Sequence, residues 1–101
     1  MFYTLAQNNS GGDWIENDEV RQEVIVEADS YDEARDKLRE ITYDHSDYCD
    51  CCGERWWFYS IEEYETPCIY GDSLYDESNK EKYNTTYIIY YKDGRKEFQE
   101  I

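Results

Sequence analysis

The sequence predicts an α+β fold, a mixed or antiparallel sheet of about four or five strands with one helix packed on a face. Three observations carry that expectation. Residues 20–28 alternate, with Val20, Val24, Val26 and Ala28 on one face and Arg21, Glu23 and Glu27 on the other. Directly afterwards, Ser30-Tyr31-Asp32-Glu33 has the form of a capping box and opens a helical spacing. Near the end, two aromatic stretches flank Asp93-Gly94, the favoured pair for a tight hairpin turn.

In chain order, residues 1–7 suit a strand through Phe2, Tyr3, Thr4 and Leu5, and stop at the turn signal Asn8-Asn9-Ser10-Gly11-Gly12. Trp14 and Ile15 follow within an acidic loop holding Asp13, Glu16, Asp18 and Glu19. A tryptophan there reads as cover for the edge of the core, with an exposed partner anchor as the alternative. A helix is expected over 30–41, since Tyr31, Ala34, Leu38 and Ile41 recur at three- and four-residue spacing and Glu33 stands one turn before Lys37. Its charged face reads as solvated. Residues 42–50 are polar and acidic, so a regular helix should not persist. Residues 56–61 read as an aromatic strand, which Glu62-Glu63-Tyr64-Glu65-Thr66-Pro67 ends. Cys68-Ile69-Tyr70-Gly71 reads as a short extended piece, and 72–84 as a polar, mobile connection. Residues 86–91 and 96–101 form the last hairpin; a two-residue type I′ turn would set Ile89 opposite Phe98 and Tyr91 opposite Lys96.

At 101 residues the chain fits a single α+β domain, 1–101, with one modest core and no room for a separate catalytic domain. Its 25 Asp and Glu against 10 Lys and Arg give a net charge of −15. That charge repels DNA, RNA and anionic membranes, and points to a basic protein partner. Aromatic content of 18% separates the chain from acidic disordered tails, which lack the apolar groups to offset ordering entropy. No apolar run approaches the length of a membrane span and the N-terminus lacks the pattern of a signal peptide, so the expected location is a cytosol. Thiols stay reduced there.

The densest chemistry lies in Cys49-Asp50-Cys51-Cys52-Gly53-Glu54-Arg55-Trp56-Trp57, which holds three of the four cysteines. The C-x-x-C-G spacing of Cys49 and Cys52 is half of a metal-binding knuckle, with the glycine relieving a tight turn. A structural zinc would draw on Cys49, Cys52, Cys68 and either His45 or Cys51. Against it, there is no second C-x-x-C, and adjacent Cys51 and Cys52 do not easily share one tetrahedral ion. Buried reduced cysteines are the competing reading, and a redox switch a third. His45 is the only histidine and no nucleophile–base pair or phosphate loop is recognisable, so the chain does not read as an enzyme.

Charge is distributed unevenly. Of the 25 acids, 22 lie in residues 1–81, and residues 40–81 hold 12 acids with 2 bases. The bland reading is a solvated surface. The sharper one is a binding face in which carboxylates steer a basic partner and Tyr and Trp supply rigid contact area. Its candidate residues are Asp44, Asp47 and Asp50 before the cysteine turn, and Glu54 and Trp57 after it. Glu62, Glu63, Tyr64 and Glu65 follow, then Asp72, Tyr75, Asp76 and Glu77.

The opening Phe2-Tyr3-Thr4-Leu5-Ala6-Gln7-Asn8-Asn9-Ser10-Gly11-Gly12, the run Val24-Ile25-Val26-Glu27-Ala28-Asp29-Ser30 with Glu33-Ala34, the cluster Cys49-Asp50-Cys51-Cys52-Gly53 with Arg55-Trp56, and Ile69-Tyr70-Gly71 together resemble a small family of tailed-bacteriophage proteins, a domain of unknown function. The resemblance spans most of the chain and is loosest over 72–84. It implies a phage origin, a place in the cytoplasm of a host bacterium, and a role aimed at phage or host machinery. It brings no catalytic residues. With the acidity, it points to a protein that inhibits a host nucleic-acid-binding or defence protein by stoichiometric blockade, as a nucleic-acid mimic. The alternatives are a phage accessory or structural protein with a small zinc site, and an immunity-type nuclease inhibitor.

Overall fold

The computed structural model describes residues 1–8, 14–45, 48–49, 53–69, 71–76, 78 and 85–98, with Tyr48 and Cys49 described through their backbone alone. In chain order the elements are β1 (Phe2–Ala6), β2 (Glu23–Glu27), α1 (Tyr31–Thr42), β3 (Tyr48–Cys49), β4 (Gly53–Glu54), β5 (Glu62–Tyr64), β6 (Cys68–Ile69), β7 (Asp72–Ser73), β8 (Tyr87–Tyr90) and β9 (Lys96–Phe98). Single 3₁₀ turns stand at Tyr43–His45 and Phe58–Ser60. Five strands form a mixed sheet in the order β5-β1-β2-β8-β9, in which β2 and β8 run parallel and the other pairs antiparallel. β3 with β4 and β6 with β7 are separate two-stranded hairpins.

The α+β expectation holds, and the period-2 rule assigns the faces. Tyr3, Leu5, Val24, Val26 and Ile88 point toward α1, where they cluster with its Ala34 and Leu38 and with Val20, Ala28 and Trp56. The opposite face carries Phe2, Ile25, Tyr87 and Ile89, covered by Ile69 of β6 and by Leu74. The sheet is therefore buried on both sides, which is why β2 reads Glu-Val-Ile-Val-Glu with three apolar residues in succession.

Helix α1 starts as its sequence predicts. The Glu33 amide donates to the Ser30 hydroxyl over 3.2 Å. The Glu33 carboxylate reaches back one residue further than the usual capping box and accepts from the Asp29 amide at 3.3 Å. Lys37 lies 3.2 Å from Glu33 on the solvent side, a pair worth about 0.2–0.5 kcal/mol. Ala34 and Leu38 are fully buried, whereas Tyr31 is largely exposed and meets the core through an edge contact with the Tyr3 ring.

Four local expectations change. The alternating strand, β2, begins at Glu23 and not at Val20, because the Asn17 side chain accepts from the Glu19 and Val20 amides and holds 17–20 in a turn. Residues 56–61 are not a strand. Strict alternation would send Trp56, Phe58 and Ile61 to different faces, and the Phe58–Ser60 turn instead lets all three pack against the α1-side core, with Arg39 over the Phe58 ring at 4.6 Å. The strand comes later, as β5. Third, 72–76 is no featureless connection: Gly71, at φ +83°, turns β6 into β7, and Leu74 is buried beneath the sheet. Residues 77 and 79–84 of that connection lie outside the described residues.

Fourth, the last hairpin is offset by one residue. Ile88 pairs with Phe98, Ile89 with Glu97 and Tyr90 with Lys96. The Gly94 amide donates to the Tyr91 carbonyl and the Tyr91 amide to the Arg95 carbonyl, with Gly94 at φ +93°. This is a three-residue loop closed by a left-handed glycine, and its extra residue shifts every cross-strand pair relative to a two-residue turn. Residues 99–101 of the predicted strand lie outside the described residues.

Leu38→Ala should lower the free energy of unfolding by about 2–5 kcal/mol, because it opens a cavity between α1 and the sheet. Tyr59→Ala, at a residue 77% exposed, should stay within about 0.5 kcal/mol. Denaturant unfolding of the two variants checks both.

Candidate functional site

Beside the junction of β1 and the Trp56-Trp57 segment, a cavity of about 380 Å³ opens on the sheet face turned away from α1. The end of β1 builds it. The Gln7 side-chain amide donates to the Ile15 and Arg21 carbonyls at 2.8 and 3.0 Å, and its oxygen accepts from the Ile15 amide at 3.0 Å. Those three bonds hold the 14–16 loop against the sheet and set Trp14 at the mouth. On the other side, the Trp57 amide donates to the Ala6 carbonyl at 3.0 Å and places the second indole. Thr4, Ala6, Gln22, Glu23, Ser60, Glu62 and Thr85 complete the lining.

Glu23 is the unusual member. It stands opposite Ala6, faces the cavity and is 5% exposed. Its amide bonds to the Thr86 carbonyl, but its carboxyl has no hydrogen-bond partner among the described residues. Burial, and secondarily the charge of Glu62, push its pKa up to about 8. At neutral pH the side chain holds its proton. Glu62 belongs to the exposed rim, where it accepts from the Tyr64 hydroxyl, and that bond with partial burial pushes the phenol to about 12.

The predicted binding residues divide by place. Trp57 and Glu62 line the cavity, and Tyr64, two residues along β5 from Glu62, shares its face. Tyr75, exposed, meets the edge of Phe2 on that same face with ring centroids 6.5 Å apart. Asp72 lies in β7, and exposed Asp76 caps the Ser78 amide at 3.1 Å. Glu63 points the other way: its hydrogen bond, after burial, raises the pKa of Tyr3 in the α1-side core. Glu54 in β4 and Glu65 after β5 are exposed. Asp44 is exposed in the turn that continues α1, apart from the cavity face. Asp47, Asp50 and Glu77 lie outside the described residues.

The zinc set does not assemble around His45 and Cys68. Cys68 is buried and free on the face away from α1, with its sulfur 3.5 Å from the Thr66 hydroxyl and its carbonyl accepting from Thr4. His45 follows α1 on the opposite side, its ring 3.5 Å from the Asn17 amide nitrogen and 3.6 Å from Glu19. The sheet separates them, so one ion cannot take both. Cys49 pairs antiparallel with Gly53, but the Cys49 side chain, Cys51 and Cys52 lie outside the described residues. Among the described residues no three His, Cys, Asp or Glu side chains converge.

Glu23 and Gln7 escape a reading by alternation, which assigns Glu23 only to the face opposite the valines. The usable signal was Ile25 on that same face, an apolar residue implying that the face is covered.

The raised Glu23 pKa has a definite sign. The unfolded chain loses this proton near the ordinary value of 4.5, whereas the folded chain keeps it to about 8. Between those values the folded state binds more protons, so the Glu23 contribution to stability falls as pH rises and levels off above about 8. Relative to wild type, Glu23→Gln should gain stability progressively from pH 5 to pH 8, reaching on the order of 4 kcal/mol. Urea unfolding of both proteins across this range checks it; a difference that does not change with pH would contradict it.

No helix among the described residues is long and apolar enough to cross a membrane. No curated protein and no solved structure matches the chain. The profile of a family described as a domain of unknown function, DUF7296, matches residues 1–99. On that match, which takes in nearly every residue of the sheet, helix and cavity described above, the chain belongs to the DUF7296 family.

Proposed function

We propose that this protein is a phage-encoded acidic inhibitor that binds a basic, nucleic-acid-binding or defence protein of the host bacterium and blocks it stoichiometrically. The observation that carries the reading is where the positive charge goes. Lys92 pairs with Asp29 at 2.6 Å, Arg95 with Asp93 at 2.7 Å and Lys37 with Glu33. Lys96 donates to the Asp18 carbonyl, Arg39 lies over Phe58 and Arg21 is buried over Phe98. At the opposite edge of the sheet, Glu62, Glu63 and Glu65 stand on and just beyond β5 with no ion-pair partner among the described residues.

Carboxylates without ion-pair partners along an edge strand, on both of its faces and just past its end, repel nucleic acid and attract a basic surface. Charged edges also discourage a second copy from adding a strand, which favours a monomeric blocker. Trp57, Tyr59 and Tyr75 lie near or on this side, with Trp57 and Tyr59 packed edge to face at 4.9 Å. They supply contact area that costs little side-chain entropy. Carboxylates held on a folded surface stand in for part of the phosphate array of a duplex, which is the sense in which the protein is a mimic.

The test is a tagged pull-down from nuclease-treated bacterial lysate, with Glu62→Lys/Glu63→Lys/Glu65→Lys run in parallel. The expected result is one nucleic-acid-binding protein, released between low and moderate salt, displaced by DNA or RNA, and lost with the triple variant. A partner that resists salt and binds the triple variant equally would overturn the reading.

A further inference from the structure

We propose that the cavity between Trp14 and Trp57 is a socket for one organic cation on a short alkyl stem, the ammonium or guanidinium end of a basic side chain of the partner. The inference deepens the inhibitor reading and rests on it for the identity of the cation's owner.

The polar groups of the lining set the sign of the ligand. The Thr4 hydroxyl is spent on the Cys68 carbonyl, the Gln7 amide on the Ile15 and Arg21 carbonyls, and the Gln22 amide on Glu16 at 3.0 Å. Ser60 donates to the Trp57 carbonyl at 3.5 Å. The Thr85 hydroxyl and the two indole N–H groups are neutral, and among the described residues the only ionisable groups of the lining are two carboxyls with no cation beside them. Glu23 forms part of the floor, 5% exposed and without a hydrogen-bond partner among the described residues, and Glu62 stands exposed at the rim. A carboxyl almost wholly removed from water, reached only through the cavity and without a protein partner among the described residues, is a position where an entering cation would favour the ionised form. An anion would meet two carboxyl groups, and a neutral apolar ligand would gain nothing from either.

The walls fit the rest of the ligand. Trp14, 40% exposed, and half-buried Trp57 offer indole surface to an alkyl stem and ring faces to its cationic head. A volume of about 380 Å³ admits one side chain and not a folded segment. The chain beside each indole is tied to the end of β1, by the Ile15 amide donating to the Gln7 side-chain oxygen and the Trp57 amide donating to the Ala6 carbonyl, so the frame of the socket exists before the ligand arrives. Entry of a cation lets Glu23 ionise by releasing its proton to solvent, while the cation replaces that proton as the charge partner.

The test is an NMR titration of the purified full chain with n-butylammonium, n-propylguanidinium and the neutral isostere n-butanol, read on the indole N–H signals. The expected result is a saturable shift of the Trp14 and Trp57 signals with at least one of the cations. Trp56, buried and donating to the His45 carbonyl, should not respond. Butanol should give at least tenfold weaker binding, as should Glu23→Gln with either cation. Glu62→Gln, an exposed rim position, should weaken binding in a fold that is not in question. Equal binding of butanol, an unchanged affinity in both Gln variants, or no saturable shift would overturn the socket. The outcome is independent of the pull-down: cation binding with no basic partner captured would keep the socket and remove the inhibitor reading, and the converse would do the reverse.

Discussion

Burial of the sheet on both faces is the constraint from which the rest of this structure follows. β1 and β2 are interior strands, each flanked on two sides, and α1 covers one face while the β6–β7 hairpin and Leu74 cover the other. A strand so placed has no solvent face on which to put its polar residues. Thr4, Gln7, Arg21 and Glu23 are therefore all buried, and each has to find a use for its polar atoms. Thr4 ties down β6, and Gln7 clamps the Trp14 loop. Arg21 stacks on Phe98 with its Nε unpaired. Glu23 is left facing a cavity.

Read in those terms, the acidic character of the protein has two layers. The outer one is the set of exposed carboxylates on and just beyond β5, whose field reaches beyond contact and is weakened by salt. The inner one is Glu23, whose charge is suppressed by burial and by the nearby Glu62. On the proposed function, a long-range attraction would bring a basic surface near and a short-range pocket would then take one side chain, separating encounter from lock. Such a division matches the general finding that rim charges govern approach while buried contacts govern residence.

Much of the fold was legible because local signals agreed with the tertiary arrangement. Ser30 and Glu33 mark a helix start that packing also requires, and the valines of β2 face the helix as their alternation implies. The misreadings occurred where tertiary demand overrode pattern. Trp56, Phe58 and Ile61 look like strand residues by propensity, yet three large side chains were needed on one side of the sheet, and a 3₁₀ turn delivers them there. Leu74, a single apolar residue in a polar run, gave no periodic signal, although it completes the second core. The last hairpin carried the right turn dipeptide with one more loop residue, enough to move Phe98 from Ile89 to Ile88. Among the described residues, six of the seven acidic residues chosen for their charge, Glu54 and Asp44 among them, are simply exposed. The cavity was not legible at all, since its key carboxyl depends on a face being covered by residues more than forty positions away in sequence.

The most direct test of this account is the ionisation of Glu23 itself, followed through its side-chain carboxyl carbon by ¹³C NMR from pH 4 to pH 10. A midpoint near 8 that falls when a saturating alkylammonium is present is the result the account predicts. A midpoint near the ordinary value of 4.5, unmoved by the cation, would mean that the carboxyl is solvated or already paired, and would contradict it.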